Sequence, residues 1–351
     1  MFTWTETPLA EMWHHIRYLK SPSNVYNLLS GKIKSNREEN WAESKKLKQR
    51  SYEIAACVRQ ADEYYSASET VGLVTQPLLQ FYGIQALAKA VILSNNSNTW
   101  LSDLNYHGLN TRASKAPPED AKQLKAYSTD PSSWSLEKEF AITNGGVFPE
   151  LCRTIKDAVP DKGQVLRLKE LLRVIPDLAT IYYRHYGEAS HCFYIYGSYK
   201  MIPNIKMEVK FSRKQNEYLD SIREVFPEFN SGFIEISPKD RISGFRSHNS
   251  IKEFPTFCAV EKGTVAGEYL IRPLSCGVYK SFSVLYASMF ILSIVVRYKP
   301  AFWMRVVEGE QSGSASIAEA LCNIAKRRLP NDALEEIWHE GFTYATSGYL
   351  T

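Results

Sequence analysis

The sequence predicts an α+β fold that is predominantly helical, with a helical lobe built from both ends of the chain. Two segments, 77–94 and 281–298, are apolar on nearly every face of a helix, so neither can present a broad face to water. Short segments rich in β-branched and aromatic residues lie between them, at about 191–274. Because helices and strands are segregated along the chain, we expect antiparallel strands instead of alternating βαβ units. The two apolar helices should pack together, and the β-rich middle should form an insertion or a second lobe.

The bulk composition is that of a globular protein. The chain has 351 residues, of which 44% are hydrophobic and 23% charged. At roughly 150 residues per domain this length suits two domains or one large one, and the composition excludes a disordered chain, a collagen and a coiled-coil rod. The formal net charge of +4 is too small to predict a nucleic-acid or membrane surface by itself.

The cysteines and the N-terminal residues indicate the cellular compartment of the protein. The six cysteines are scattered and form no C-x-x-C pair, so we expect free buried thiols in a reducing compartment. The first residues show neither a basic nor an apolar region, so no secretory signal is expected. The longest apolar run, 282–296, is shorter than the ~20 residues that cross a bilayer. The predicted location is cytoplasmic, without membrane attachment.

The N-terminal region is predicted to be helical. Residues 8–30 suit one or two short helices broken by the sequence SPSN, and 41–66 suits an amphipathic helix. In the apolar helix 77–94, Gly83 costs ~1 kcal/mol relative to Ala, so another segment should approach closely there. Lys89 is the one charge inside this helix, and a buried ammonium needs a partner. We expect a carboxylate, backbone carbonyls or a bound anion, unless Lys89 extends its head to solvent.

The following segments are less regular. A loop is expected at 105–110, and the polar residues 112–134 suggest a long or poorly ordered loop. Short strands are expected near 135–143 and directly after the NGG sequence. A helix should cover 166–187, kinked or divided at Pro176.

The rest of the chain returns from strands to helices. One helix, 216–226, interrupts the strands, and helices again follow residue 280. The predicted strands lie within 191–199, 205–212, 231–238, 255–263 and 267–274, and the last two helical segments are 315–329 and 330–342. This order predicts four regions: an N-terminal helical region (1–110), a loop-rich connector (111–165), a mixed, β-rich middle (166–278) and a C-terminal helical region (279–351) that packs with the N-terminal helices.

Common catalytic motifs do not occur in the sequence. It contains no H-E-x-x-H, P-loop, G-x-G-x-x-G or G-x-S-x-G. An Arg followed after four to six residues by a His is the pattern of HEPN-type ribonucleases, which need no metal. Two pairs fit it, Arg184 with His191 and Arg241 with His248. About one match is expected by chance, so the pattern alone carries little weight, and Arg184 has the better context because it lies near a helix end.

Three segments carry a resemblance to a known family. They are QPLLQFYGIQALAKAVIL followed by YHGL, the Leu-rich helix 168–178 and the apolar C-terminal helix 292–303. Together they resemble the signature and two further helices of the YaaC-like family of bacterial proteins. The signature positions are Pro77, Tyr82, Gly83, Leu87, Ala88, Lys89, Ala90, His107, Gly108 and Leu109. The resemblance extends from about residue 10 to 345. It implies a soluble bacterial protein compatible with a HEPN-like helical core and with antiviral defence loci, and it implies no established reaction.

Tyr82, Lys89 and His107 form the candidate ligand site. Tyr82 and Lys89 are two helical turns apart and share a helix face, onto which His107 can fold back from its loop. Such a cluster suits an anion such as phosphate. Alternatively, these residues satisfy backbone carbonyls or carboxylates within the fold.

The expected function is that of a non-catalytic interaction or regulatory subunit of a bacterial multi-protein complex, with antiviral defence as a setting. Two alternatives stay open, a HEPN-type ribonuclease using Arg184 and His191 and a small anionic-ligand-binding protein using the cluster above. Protein partners are expected. The sequence leaves open whether the chain forms a homo-oligomer and whether the basic stretch 45–50 contacts nucleic acid. No metal or cofactor is predicted.

Overall fold

The computed structural model describes most of the chain. It covers residues 2–5, 7–36, 44–195, 200–202, 206–212, 216–231, 233–236, 242–247, 255–263, 267–310 and 313–345. The helices are α1 (Pro8–Tyr18), α2 (Pro22–Asn36), α3 (Ser44–Ser68), α4 (Gln76–Asn95), α5 (Pro118–Thr129), α6 (Val147–Thr154), α7 (Leu168–Arg173), α8 (Ala179–Tyr186), α9 (Asn216–Val225), α10 (Ser281–Tyr298), α11 (Pro300–Val307) and α12 (Ser314–Trp338). The strands are β1 (Phe2–Trp4), β2 (His107–Asn110), β3 (Phe140–Gly146), β4 (Val165–Arg167), β5 (Cys192–Ile195), β6 (Lys200–Ile202), β7 (Lys206–Ser212), β8 (Phe233–Ile236), β9 (Ile242–Ser247), β10 (Ala259–Lys262), β11 (Glu268–Ile271) and β12 (Thr343–Ala345).

Helices α4 and α10 lie against each other at the centre of the main core, as the sequence predicts. The Phe81 ring of α4 meets Tyr286 and Phe290 of α10 edge-on, with ring centroids 5.5 Å apart in both pairs. Helices α3 and α12 pack on α4 as well, so its apolar residues are buried on most sides. The predominantly helical α+β fold, with a helical lobe drawn from both chain ends, is confirmed.

The close approach expected at Gly83 is observed. A Cβ atom at this position would lie 2.7 Å from Cδ2 of Tyr65 in α3. Gly83 therefore lets α3 and α4 pack more closely than any larger residue would allow.

The β-rich middle has its own core. Strands β5 to β11 form an antiparallel sheet in the order β10-β11-β5-β7-β9-β8, with β6 paired to β7. One face of it packs on α9, and the rings of Phe229 and Phe245 stack with centroids 4.6 Å apart. Arg328 of α12 joins this sheet to the helical lobe through a 2.7 Å ion pair with Glu261 of β10.

Two segments differ from the sequence prediction. The stretch 112–134, predicted to be a loop, contains α5, whose buried Leu124 packs on Phe140 and Ile142 of β3. The strand predicted after NGG is absent, because α6 begins there instead. Burial explains α5, because a polar helix needs only a narrow apolar contact to be held in place. In α6 four apolar residues are buried on one helical face.

Other boundaries follow the prediction with small changes. The loop expected at 105–110 ends in β2, and Pro176 divides α7 from α8 as expected. The two predicted C-terminal helices are one continuous helix, α12, with Pro330 inside it. Leu329 and Pro330 are buried, and this packing offsets the backbone hydrogen bond that proline cannot donate.

The apolar helices are core helices by their burial. Among the described residues, α4 and α10 are long and apolar enough to cross a membrane, yet 78% of the most apolar part of each helix is buried inside the protein. All six cysteines are free, and five are buried. Burial raises the pKa of Cys57 to about 12, so this thiol is protonated at neutral pH.

Candidate functional site

The residues of the predicted ligand site lie on α4 and on β2, both of which contact α10. Tyr82 and Lys89 project from α4, and His107 begins β2. The His107 ring packs on Phe81 and Phe290, with centroids 5.4 and 5.7 Å away.

The short turn at Gly108 places His107 there. Gly108 has φ +80°, and a Cβ on it would lie 2.4 Å from the backbone nitrogen of Phe148, so only glycine fits. The pairing of β2 with β3 shifts register between His107 and Leu109 at this point. The Tyr286 hydroxyl donates to the carbonyl oxygen of His107 over 2.9 Å, which anchors the turn to α10.

Arg297 completes the cluster, and sequence reasoning missed this residue. Its Nη1 donates to the Tyr82 hydroxyl over 3.1 Å, and its guanidinium carbon lies 5.3 Å from the Tyr298 ring centroid. In the sequence, a basic residue in the last turn of α10 indicates only a favourable interaction with the C-terminal end of the helix dipole. Nothing in the sequence indicates which helix end lies beside Tyr82.

The charges of the cluster are of one sign. Burial, then Arg297 and Lys89, lower the pKa of His107 below its usual value, so the ring is neutral at pH 7. The imidazole Nδ1 is buried and has no hydrogen-bond partner in the described part of the chain. Within that same part, neither Lys89 nor Arg297 forms an ion pair with a carboxylate.

The expected partner of Lys89 is therefore not a described protein group. Lys89 is half-buried, and its ammonium forms no hydrogen bond with a described residue. Of the partners anticipated from the sequence, a bound anion or solvent remains. Tyr82, Lys89, His107 and Arg297, which we call the Tyr82 cluster, together offer a guanidinium fork, an ammonium, a hydroxyl and an imidazole. This set of donors suits a phosphate or carboxylate group.

The comparison with family models decides where the chain belongs. A model described as YaaC-like Protein matches residues 17–337. The chain belongs to the YaaC-like family. No curated protein and no solved structure matches this YaaC-like protein.

No contact or electrostatic effect links the two residues of the ribonuclease alternative in the described part of the chain. Arg184 is exposed near the end of α8, and its side chain makes no hydrogen bond or ion pair with a described residue. His191 is half-buried. Burial, then Arg173 and Arg272, lower its pKa to about 4, and Arg184 is not among the charges that act on it. The second pair, Arg241 and His248, lies outside the described residues.

The basic stretch 45–50 is partly internal in this YaaC-like protein. Arg50 is only 2% exposed, and its guanidinium donates to carbonyl oxygens at and beyond the C-terminal end of α4. It therefore stabilises a helix end and is unavailable to nucleic acid. Among the described residues, no group of three His, Cys, Asp or Glu side chains could hold a metal ion.

Proposed function

We propose that this YaaC-like protein is a non-catalytic regulatory protein that binds a small anionic ligand at the Tyr82 cluster. The observation that supports this proposal is that Lys89 and Arg297 both act electrostatically on His107, while neither forms an ion pair with a described carboxylate. Grouped cations repel one another, so a cluster of this kind is stabilised by a bound anion. All four side chains are half-buried, which leaves them partly open to solvent while they are held by the core.

The direct test is ligand binding by the Lys89→Met variant. Methionine keeps the length of the side chain and removes its charge. Because no described carboxylate pairs with Lys89, the variant should unfold at the same or a higher temperature without ligand. It should also lose the thermal stabilisation that the wild type gains from inorganic phosphate, a nucleoside monophosphate or a dicarboxylate. A ligand at 100 times its Kd adds about 2.7 kcal/mol, which is readily measured.

Lys125→Met on α5 is the matched control. Lys125 is exposed and its ammonium has no described partner, so the charge change is the same while the Tyr82 cluster is intact. The proposal fails if no such anion stabilises the wild type, or if Lys89→Met responds to ligand as Lys125→Met does.

Interaction with protein partners is a further element of the proposal, supported by two exposed aromatic side chains. Tyr106 and Tyr298 are 74% and 69% exposed, and each directly neighbours a residue of the Tyr82 cluster in sequence. Exposed tyrosines are enriched in protein interfaces. A cytoplasmic bacterial complex, including one for antiviral defence, is the setting we propose for this contact.

This element is tested by quantifying cross-linked partners in the native host. A variant with Tyr106→Ser and Tyr298→Ser should lose partners that the wild type retains. Tyr183→Ser is the control, because Tyr183 is 61% exposed and lies on α8. Equal recovery from all three proteins would contradict a role for this surface.

A further inference from the structure

A buried ion-pair network joins the β-rich middle to the helical lobe. Arg328 of α12 lies between two carboxylates: its Nη2 is 2.7 Å from Oε1 of Glu261 on β10, and its Nε is 2.8 Å from Oδ1 of Asp332, one turn further along α12. We call these three residues the Arg328 triad. Their side chains are at most 15% exposed, so the triad is a contact between two parts of the protein whose charges are largely removed from water.

The charges within the triad do not balance. One guanidinium neutralises one carboxylate, so the second buried carboxylate leaves a negative charge without a partner of its own. Oδ2 of Asp332 is buried and has no hydrogen-bond partner in the part of the chain that the structure describes. An ionised carboxylate is unstable in such a place, whereas a protonated one carries no charge there. A proton on Asp332 would therefore complete the network.

The surrounding groups indicate which carboxylate takes up the proton. Burial raises the pKa of Glu261, but Lys280 at the start of α10 offsets part of its charge. Asp332 has the carboxylate of Glu335 near it instead, and burial, then Glu261 and Glu335, raise its pKa to about 7 against the opposing effect of the guanidinium. Further titratable groups that interact electrostatically with the triad are Tyr65 of α3, Asp157 after α6 and Asp177 between α7 and α8.

Solvent has a path to the triad through the junction itself. A cavity of about 290 Å³ lies there, lined by Val260 and Glu261 of β10 and by Arg328, Asp332 and Glu335 of α12. This space is large enough for several water molecules, which can carry a proton to or from Asp332. A contact that borders such a space depends more on its ion pair than a closely packed apolar contact does.

We propose that the Arg328 triad is a proton-controlled latch between the β-rich middle and the helical lobe. With Asp332 protonated, Arg328 pairs with Glu261 without a competing charge, and the latch is closed. When Asp332 loses its proton, it competes with Glu261 for the same guanidinium, and the contact between the two parts weakens. The latch is separate from the Tyr82 cluster and does not depend on the function proposed for it.

The latch is tested by labelling Cys192 with N-ethylmaleimide and measuring the rate by mass spectrometry on the full chain. Cys192 begins β5, is 5% exposed and packs into the core of the helical lobe, so its thiol is reached when the junction opens. The wild type is compared with Asp332→Asn at the same pH, because asparagine has the shape of the protonated acid and cannot ionise. This comparison cancels the titration of the thiol and of the neighbouring His191, which both proteins share.

From pH 6 to pH 8, the labelling rate of the wild type relative to Asp332→Asn should rise about tenfold. The pKa of Asp332 is about 7 in the closed latch and returns toward 3.8 when the junction opens, so closing takes up a proton at pH 6 but not at pH 8. Asp220→Asn on α9 is the matched control, because Asp220 is 72% exposed and its ion pair is with Arg223 on the same helix. Its rate relative to the wild type should be the same at both pH values.

A second variant, Glu261→Gln, keeps the proposal falsifiable if Asp332→Asn does not fold. It leaves Arg328 to Asp332, which then stays ionised, so Cys192 should be labelled faster than in the wild type at pH 6. The wild-type rate relative to this variant should again rise about tenfold by pH 8. The proposal is overturned if these relative rates stay constant or fall. It is also overturned if Cys192 and the buried Cys57 of α3 are labelled equally fast in the wild type, because the two parts then open only by global unfolding.

Discussion

Arg297 donates a hydrogen bond to the hydroxyl of Tyr82 over 3.1 Å, although the two residues are 215 positions apart in the chain. The Tyr82 ring is itself stacked on Tyr64, with centroids 5.4 Å apart. Tyr64 of α3 thus holds the Tyr82 ring, and the Tyr82 hydroxyl holds the guanidinium of Arg297. The Tyr82 hydroxyl therefore acts as a positioning group for Arg297.

Tyr82→Phe should weaken anion binding about three- to tenfold. The ring and its stacking stay, while the hydrogen bond that orients Arg297 is lost, at a cost in stability of about 1 kcal/mol. Calorimetry measures the affinity and urea denaturation measures the stability. Tyr64→Phe is the control, because it removes a hydroxyl from the neighbouring ring. Equal weakening in both variants would show that the hydroxyl of Tyr82 has no special role.

Anion affinity at the Tyr82 cluster should rise as the pH falls from 7.5 to 5.5. Burial, Arg297 and Lys89 lower the pKa of His107, so the ring is neutral at pH 7 without ligand. A bound anion favours the imidazolium and raises that pKa, so proton uptake accompanies binding. Sulfate is a suitable probe because its charge is constant over this range. His107→Gln should remove the dependence, and a flat profile for the wild type would contradict it.

Acid should destabilise the protein partly through His191. The pKa of His191 is about 4 in the folded protein, against about 6.5 in the unfolded chain. Between these values the unfolded state binds more protons, so stability is complete above pH 6.5 and falls as the pH drops toward 4. The loss approaches about 3 kcal/mol.

The effect of His191 is measured as the difference in pH-dependent stability between the wild type and a variant, because other buried groups also titrate. Unfolding free energies of the wild type and His191→Asn are compared at pH 7 and pH 4.5. The wild type should lose more stability between these two values than the variant does. Parallel curves would show that His191 titrates normally.

Gly83→Ala should destabilise the protein although alanine is the better helix former. The gain in helix propensity is about 1 kcal/mol, but the new methyl group would lie 2.7 Å from Tyr65, which is buried and cannot move away. Overpacking of this kind costs about 1–3 kcal/mol. Gly31→Ala in α2 is the control, because its Cβ would have no neighbour within 4 Å and it should be stabilising. Stabilisation by both substitutions would contradict the close approach.

The contact between α4 and α10 is predictable because burial leaves few choices. Both helices are apolar on nearly every face. Each must therefore be covered on all sides by other parts of the chain. The two-turn spacing of Tyr82 and Lys89 places them on one helix face. Arg297 is not predictable, because the relative rotation and stagger of two helices depend on side-chain packing along the whole contact.

The wrong predictions between residues 112 and 154 have local causes. In α5 a single buried residue, Leu124, holds a polar helix, and one leucine leaves no visible periodicity. In α6 the helical signals are present in the sequence, although a strand is predicted there. Pro149 lies in the first turn, and Phe148, Leu151 and Cys152 follow helical spacing on the buried face.

The pairing of α4 with α10 has a consequence during synthesis. Roughly 190 residues separate the end of the first helix from the start of the second. At about 5–20 residues per second, the ribosome needs on the order of 10–40 s to cover that distance. Throughout this interval the apolar surface of α4 that α10 later covers has no native partner. The nascent chain must therefore be shielded from aggregation by its own N-terminal helices or by chaperones until the second helix emerges.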